Sequence, residues 1–99
     1  MGISLKGKRV FISGAATGIG RATALSMHVL GAEVMICDID VEKLRDMEEE
    51  IKTFACDVSD SSAVDKMFQQ IEDSGLDILV NNAGTVSYTH LTLPTIYSV

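Results

Sequence analysis

Ser13–Gly20 reads SGAATGIG, and the fold turns on what that stretch does. Before it lies Arg9–Ser13, RVFIS, a β-branched and aromatic run that ends at a glycine and reads as a buried strand. After it, GIGRATALSMHVLG reads as a helix with Gly31 placed as its C-terminal stop. A glycine loop between a strand and a helix is where a phosphate-binding turn belongs. Gly14 lets the chain leave the strand in a tight turn, Gly18 lets backbone approach a pyrophosphate, and Gly20 lets the helix pack closely on the sheet. The N–H groups at the helix N-terminus then face the phosphates. The spacing is G-x3-G-x-G rather than G-x-G-x-x-G, and the strand before and helix after lift it above a bare glycine motif.

Working outward, Ala32–Asp38 is a second apolar strand and Asp40 can cap a helix that sets Val41, Leu44, Met47 and Ile51 along one face. Thr53–Asp57 is a third, shorter strand. Ser59 or Asp60 can cap a third helix, with Val64, Met67, Phe68 and Ile71 at i, i+3, i+4 and i+7 and Gly75 as its end. Leu76–Asn82 is a fourth strand. Apolar strands alternating with amphipathic helices predict an α/β fold with a parallel sheet and helices on both faces. Right-handed crossovers with a reversal after the third strand predict the order 3-2-1-4, a truncated Rossmann fold of about four strands.

Composition excludes several function classes. The chain has 99 residues, 46% of them hydrophobic, and a net charge of −6. Lys and Arg are nowhere concentrated, which argues against nucleic acid or an anionic membrane as partner. No apolar run approaches the roughly 20 residues of a membrane span, and MGISLKGKRV carries no signal-peptide core. The expected setting is a soluble cytoplasmic one. Cys37 and Cys56 form no CxxC pair and have no histidine at ligand spacing, so they read as small buried hydrophobes rather than metal ligands. His28 reads as a packed helix residue, and Glu48–Glu50 as a solvated helix end.

Asp38 ends the second strand, 18 residues after Gly20. An acid there can accept from both adenosine ribose hydroxyls of NAD and would repel the 2′-phosphate of NADP. Thr17 and Ile39 occupy the nearby positions where a basic residue would reverse that preference. Asp57 can accept from an adenine amino group, and Val58 can present its N–H.

Four features, SGAATGIG, Asp38, CDV at Cys56–Val58 and NNAG at Asn81–Gly84, together resemble the short-chain dehydrogenase/reductase family over about Lys6–Thr85. Ser13 departs from the family's usual Thr but supplies the same hydroxyl. The resemblance implies an oxidoreductase moving hydride between a nicotinamide cofactor and an alcohol or carbonyl. It implies that Gly14, Ala16, Thr17, Gly18, Ile19 and Gly20 line the pyrophosphate, that Asp38 and Ile39 hold the adenosine ribose, and that Asp57 and Val58 hold the adenine. Asn82, Ala83 and Gly84 would pass beneath the cofactor, and Asn81 would mainly brace the sheet. A homo-oligomeric parent is implied as well. The family's catalytic Ser and Tyr-x-x-x-Lys are not here. Lys66 is the last lysine, Tyr88 is followed by THLT and Tyr97 by SV, so no residue of this chain is assigned a catalytic role. A non-catalytic dinucleotide sensor on the same fold is the alternative. A methyltransferase fits less well, because it explains neither NNAG nor the glycine spacing.

Residues 86–99 read differently. They hold no Asp, Glu, Lys or Arg, and they contain the single proline and both tyrosines of the chain. A variable substrate loop or a divergent exon is one reading. Back-translation gives a sharper one. The DNA string GTC TCT TAT ACA CAT CTG ACG CTG CCG ACG, which resembles a transposase-based sequencing adapter, would encode Val86–Thr95. The adapter bases CT before it would complete a codon for Thr85. A short sample index would supply the variable part of Ile96-Tyr97-Ser98, and the continuation GTG TAG is Val99 and a stop. The expectation is that residues 1–85 are the N-terminal part of a dinucleotide-binding domain and residues 86–99 a non-native tail. The fourth strand would then stand as a bare apolar sheet edge.

Overall fold

The computed structural model describes residues 4–72, 75–82 and 96–98. In chain order they form β1 (Arg9–Ser13), α1 (Gly18–Val29), β2 (Glu33–Asp38), α2 (Val41–Arg45), β3 (Lys52–Ala55), α3 (Ser61–Glu72), β4 (Ile78–Asn81) and β5 (Ile96–Ser98). The strands make one parallel sheet in the order β3-β2-β1-β4-β5. The expected 3-2-1-4 arrangement is present, with β1 between β2 and β4 at the point where the strand order reverses.

Alternation along the strands sends successive side chains to two cores. Val10, Ile12, Val34 and Ile36 pack on one face with Ala24 of α1 and Leu44 of α2. Phe11, Met35 and Cys37 pack on the other with Val64, Met67, Phe68 and Ile71 of α3. Because both faces are covered, the central strands read as unbroken apolar runs rather than as a polar alternation. The Phe11 and Phe68 rings meet with centroids 5.0 Å apart and planes at 60°, a tilted packing suited to aromatic quadrupoles. Asp77 fixes β4 on β1: its Oδ2 accepts from Arg9 N at 2.9 Å, and its own N–H donates to Arg9 O at 2.9 Å. The register that follows sets Val10 opposite Ile78 and Ile12 opposite Val80.

Two features depart from the sequence expectation, and one settles a choice that it left open. The second helix ends at Arg45, and Val41 is 46% exposed while Leu44, Met47 and Ile51 are buried. Asp46 and Glu48–Glu50 supply carboxylates where the negative end of a helix dipole would stand, which disfavours a further helical turn. The chain instead continues in turns, with Met47 N–H on Leu44 O at 3.0 Å and Ile51 N–H on Met47 O at 3.0 Å. The second feature is the choice of cap on α3. Asp60 takes it, its Oδ1 accepting from Ser62 N at 3.0 Å and Ala63 N at 3.3 Å. Asp60→Ala is expected to lower the unfolding free energy by about 1 kcal/mol, read by urea denaturation.

The third is β5. Ile96–Ser98 pairs in parallel with β4, Leu79 opposite Ile96 and Asn81 opposite Ser98, so the expected bare edge carries a fifth strand. An unpaired strand edge presents a row of N–H and C=O groups to any strand-forming segment in reach, and Ile and Tyr are strong strand formers.

Candidate cofactor site

The C-terminal ends of β1, β2, β3 and β4 meet at one edge of the sheet, where ligands of open α/β sheets bind. The glycine loop leaves β1 through Gly14 (φ +63) and enters α1 through Gly18 (φ +62), two left-handed positions that favour glycine. Thr17, the N-cap residue, is extended, and its side chain makes no capping bond. The first turn of α1 holds no acidic residue. A Cβ built on Gly18 meets nothing within 4 Å, so the space above the helix N-terminus is open. A helix start with no side-chain anion of its own and open space above it fits a pyrophosphate.

Gly20 does the opposite job. It is buried, and a Cβ there would lie 2.5 Å from Gly14 O and 2.9 Å from Ala15 Cα. The helix start sits directly on the loop because this residue has no side chain.

The loop is held from both neighbouring strands. On the β2 side, Ala15 N–H donates to Cys37 O at 3.2 Å and Ala16 N–H to Asp38 Oδ2 at 3.0 Å. On the β4 side, Asn82 Nδ2 donates to Gly14 O at 2.8 Å. The methyl groups of Ala15 and Ala16 are buried in the core below. Ala16 thus contributes loop shape, since its N–H is already taken by Asp38. Asn81 is buried, and its Oδ1 accepts from Ser13 Oγ at 3.2 Å, a brace between β1 and β4.

Asp38 is half-buried and carries two roles at once. Oδ2 holds the glycine loop, and Oδ1 accepts from Asp40 N at 3.0 Å, fixing the turn out of β2. Each carboxylate oxygen has further lone-pair capacity toward a ligand. The sequence suggested a ribose acceptor at Asp38 and gave no sign of its bond to the loop. The partner lies 22 residues away, and only the register of β1 on β2 brings the two together.

Ile19 and Ile39 are 67% and 68% exposed. Asp57 is exposed and Val58 half-buried at the end of β3. Cys56 N–H donates to Asp38 O at 3.1 Å, which ties the end of β3 to the end of β2. Ser59 donates to Asp57 through both its hydroxyl and its N–H, and these bonds hold the Asp57 carboxyl below the usual range. Ala83 and Gly84 lie outside the described residues. Among the described residues, no cluster of His, Cys, Asp and Glu could hold a metal, and no helix is long and apolar enough to cross a membrane.

Cys37 and Cys56 are both buried and unpaired with each other. Burial, opposed by a backbone hydrogen bond from Gly14, pushes the Cys37 thiol from 9.0 up to about 12. The native state therefore keeps a proton that the unfolded chain loses, so stability present below about pH 9 is lost as pH rises toward 12. Between about pH 8 and pH 10, the melting temperature should fall more steeply for the unaltered chain than for Cys37→Ala.

The comparisons agree with this geometry. A family model described as short chain dehydrogenase matches residues 8–96. A sorbitol dehydrogenase of Cereibacter sphaeroides is 42% identical over 85 residues, covering 80% of this chain and 33% of the relative. A 2,3-dihydro-2,3-dihydroxybenzoate dehydrogenase of Bacillus subtilis is 40% identical over 91 residues, covering 83% of this chain and 35% of the relative. Among solved structures, a short-chain type dehydrogenase/reductase from Mycobacterium marinum superposes with a TM-score of 0.74 at 36% identity, over 85% of this chain and 38% of that one. The Pseudomonas aeruginosa RhlG/NADP active-site complex does so with a TM-score of 0.70 at 31% identity, over 83% of this chain and 36% of that one. The chain thus spans about a third of the length of these relatives. On the extent of that match and the identity of its relatives, the chain belongs to the short-chain dehydrogenase/reductase family, whose members bind NAD(P).

Proposed function

We propose that residues 1–85 are the cofactor-binding N-terminal part of an NAD-dependent oxidoreductase, acting on a small alcohol or carbonyl substrate, and that residues 86–99 are a non-native tail. The observation that carries the reading is the joint between Asp38 and the glycine loop, Ala16 N–H to Asp38 Oδ2 at 3.0 Å. It makes the ribose acceptor and the anion-binding turn one rigid unit. The bound dinucleotide would supply the hydride carrier. This chain's residues would bind and orient it: Gly14, Ala16, Thr17, Gly18, Ile19 and Gly20 would shape the pyrophosphate seat around the α1 N-terminus. Asp38 would accept from the ribose hydroxyls, and Ile39 would cover the ribose. Asp57 and Val58 would meet the adenine, and Asn82, Ala83 and Gly84 would close the floor beneath the cofactor. A 2′-phosphate would meet the Asp38 anion with Thr17 and Ile39, not a base, beside it, which favours NAD over NADP.

The sequence contains no Tyr-x-x-x-Lys, so the chain by itself is expected to bind cofactor and turn over no substrate. The parent would be a homo-oligomer in the cytoplasm. Titrating the chain with NAD and NADP by calorimetry tests the cofactor reading, with NAD expected to bind at least about tenfold tighter. Equal affinities overturn the NAD preference, and binding of neither overturns the site. A long read of the source DNA across codon 85 tests the rest. Continuation into Tyr-x-x-x-Lys supports the dehydrogenase. A genomic frame that still encodes VSYTHLTLP overturns the tail assignment.

A further inference from the structure

We infer that Ser59 is a positioning residue for Asp57, and that it thereby sets the preference of the site for adenine over a base without the 6-amino group; this rests on the cofactor reading above. Ser59 and Asp60 are both able to cap α3, and the structure gives the cap to Asp60 alone. The Ser59 hydroxyl goes to Asp57 instead. Ser59 Oγ donates to Asp57 Oδ1 at 2.6 Å, and Ser59 N donates to the same oxygen at 2.9 Å. Both bonds fall on Oδ1, and Oδ2 carries neither of them.

An exposed aspartate otherwise rotates about its last torsion and must be ordered by the ligand it binds, a cost that pre-organisation removes. Two bonds on one oxygen fix the carboxylate plane and keep the group ionised as a pure acceptor. The turn is also anchored at its base. Cys56, one residue before Asp57, is tied through its N–H to Asp38 O at 3.1 Å. The adenine-side acid and the ribose-side acid are therefore set relative to each other by main chain, and Ser59 sets the last torsion. A 6-amino group donates to such an oxygen. A 6-oxo group in its place brings an acceptor against an anion, which is a rejecting contact.

The test compares NAD with nicotinamide hypoxanthine dinucleotide, which differs at that one position. The full chain and its Ser59→Ala and Ser59→Thr variants are titrated with each, and folding is followed by circular dichroism. The ratio of the two affinities is the readout, because loss of folded protein lowers both alike. The unaltered chain should prefer NAD by about tenfold, Ser59→Ala should bring the ratio to within about twofold, and Ser59→Thr should restore it. A ratio unchanged in Ser59→Ala overturns the role of Ser59 and leaves the cofactor reading standing. A ratio near one in the unaltered chain overturns adenine reading by Asp57. No saturable binding of either dinucleotide to the folded chain overturns the cofactor reading, and this inference with it.

Discussion

Gly20→Ala should destabilise the chain and weaken NAD binding, although alanine is the better helix former. The helix term favours the substitution by about 1 kcal/mol. The steric term opposes it and wins. A Cβ on Gly20 would sit 2.5 Å from Gly14 O, 2.6 Å from Asn82 Nδ2 and 2.9 Å from Ala15 Cα. Two of these are backbone atoms that cannot swing aside. The third can rotate, but only by breaking the 2.8 Å bond from Asn82 to Gly14 O that holds the loop against β4. Overpacking of this kind costs about 1–3 kcal/mol and occasionally more, and the lost loop bond adds about 1 kcal/mol. The net expectation is a loss of about 1–3 kcal/mol by urea denaturation, with NAD affinity down at least tenfold by calorimetry. Gly18→Ala is the control. A Cβ there meets nothing within 4 Å, so its cost comes from φ +62 alone, about 1–2 kcal/mol. A Gly20→Ala chain with unchanged denaturation and unchanged NAD affinity would show that the loop and helix do not meet as described.

The contrast between the two glycines shows where sequence reading reaches and where it stops. That both are glycine, and that the stretch joins a strand to a helix, was legible from order and composition. Arg9–Ser13 and the α1 residues are local patterns, and the α3 stripe of Val64, Met67, Phe68 and Ile71 is a periodicity that suits one face of a helix. What was not legible depends on contacts between distant segments. The bond between Ala16 N–H and Asp38 spans 22 positions, and that from Asn82 to Gly14 O spans 68. No spacing rule announces either, because both exist only once β2 and β4 have taken their places on either side of β1. The choice between Ser59 and Asp60 as cap is a competition of nearly equal donors and acceptors, settled by which of them the Asp57 turn also needs.

The early end of α2 has a similar cause. Leu44, Met47 and Ile51 do fall on the buried side, so the apolar spacing was a true signal of burial. It was not a signal of continuous helix, because the turns that follow Arg45 also bury Met47 and Ile51. Val41 broke the pattern: it is 46% exposed, two residues after exposed Ile39. The edge at β4 is the mirror case. There the apolar strand was read correctly, and its pairing with Ile96–Ser98 follows from an open hydrogen-bonding edge rather than from any motif in the tail.

Asp38→Ala carries the other large effect, because one carboxylate serves the loop and the turn and, on the proposed cofactor reading, the ligand as well. The substitution removes the acceptor for Ala16 N–H at 3.0 Å and for Asp40 N–H at 3.0 Å. Hydrogen bonds to a charged acceptor are each worth about 1.5–3 kcal/mol when buried. Asp38 is half-buried and water can replace part of each bond, so about 1–2 kcal/mol of lost stability is expected for the pair. The ligand term is separate. Losing the acceptor for two ribose hydroxyls and slackening the pyrophosphate turn should weaken NAD by about 10–100-fold. NADP should weaken less, or gain, because the like charge facing its 2′-phosphate is gone. The ratio of NAD to NADP affinity should therefore fall toward one. Asp38→Asn separates charge from hydrogen bonding. Its single amide oxygen can serve only one of the two N–H groups, and it offers no repulsion to phosphate. It should move the NAD/NADP ratio nearly as far as alanine while losing less stability. If both variants keep the ratio of the unaltered chain, the carboxylate braces the loop and does not read the ribose, and the cofactor preference must be set elsewhere at the C-terminal edge of the sheet.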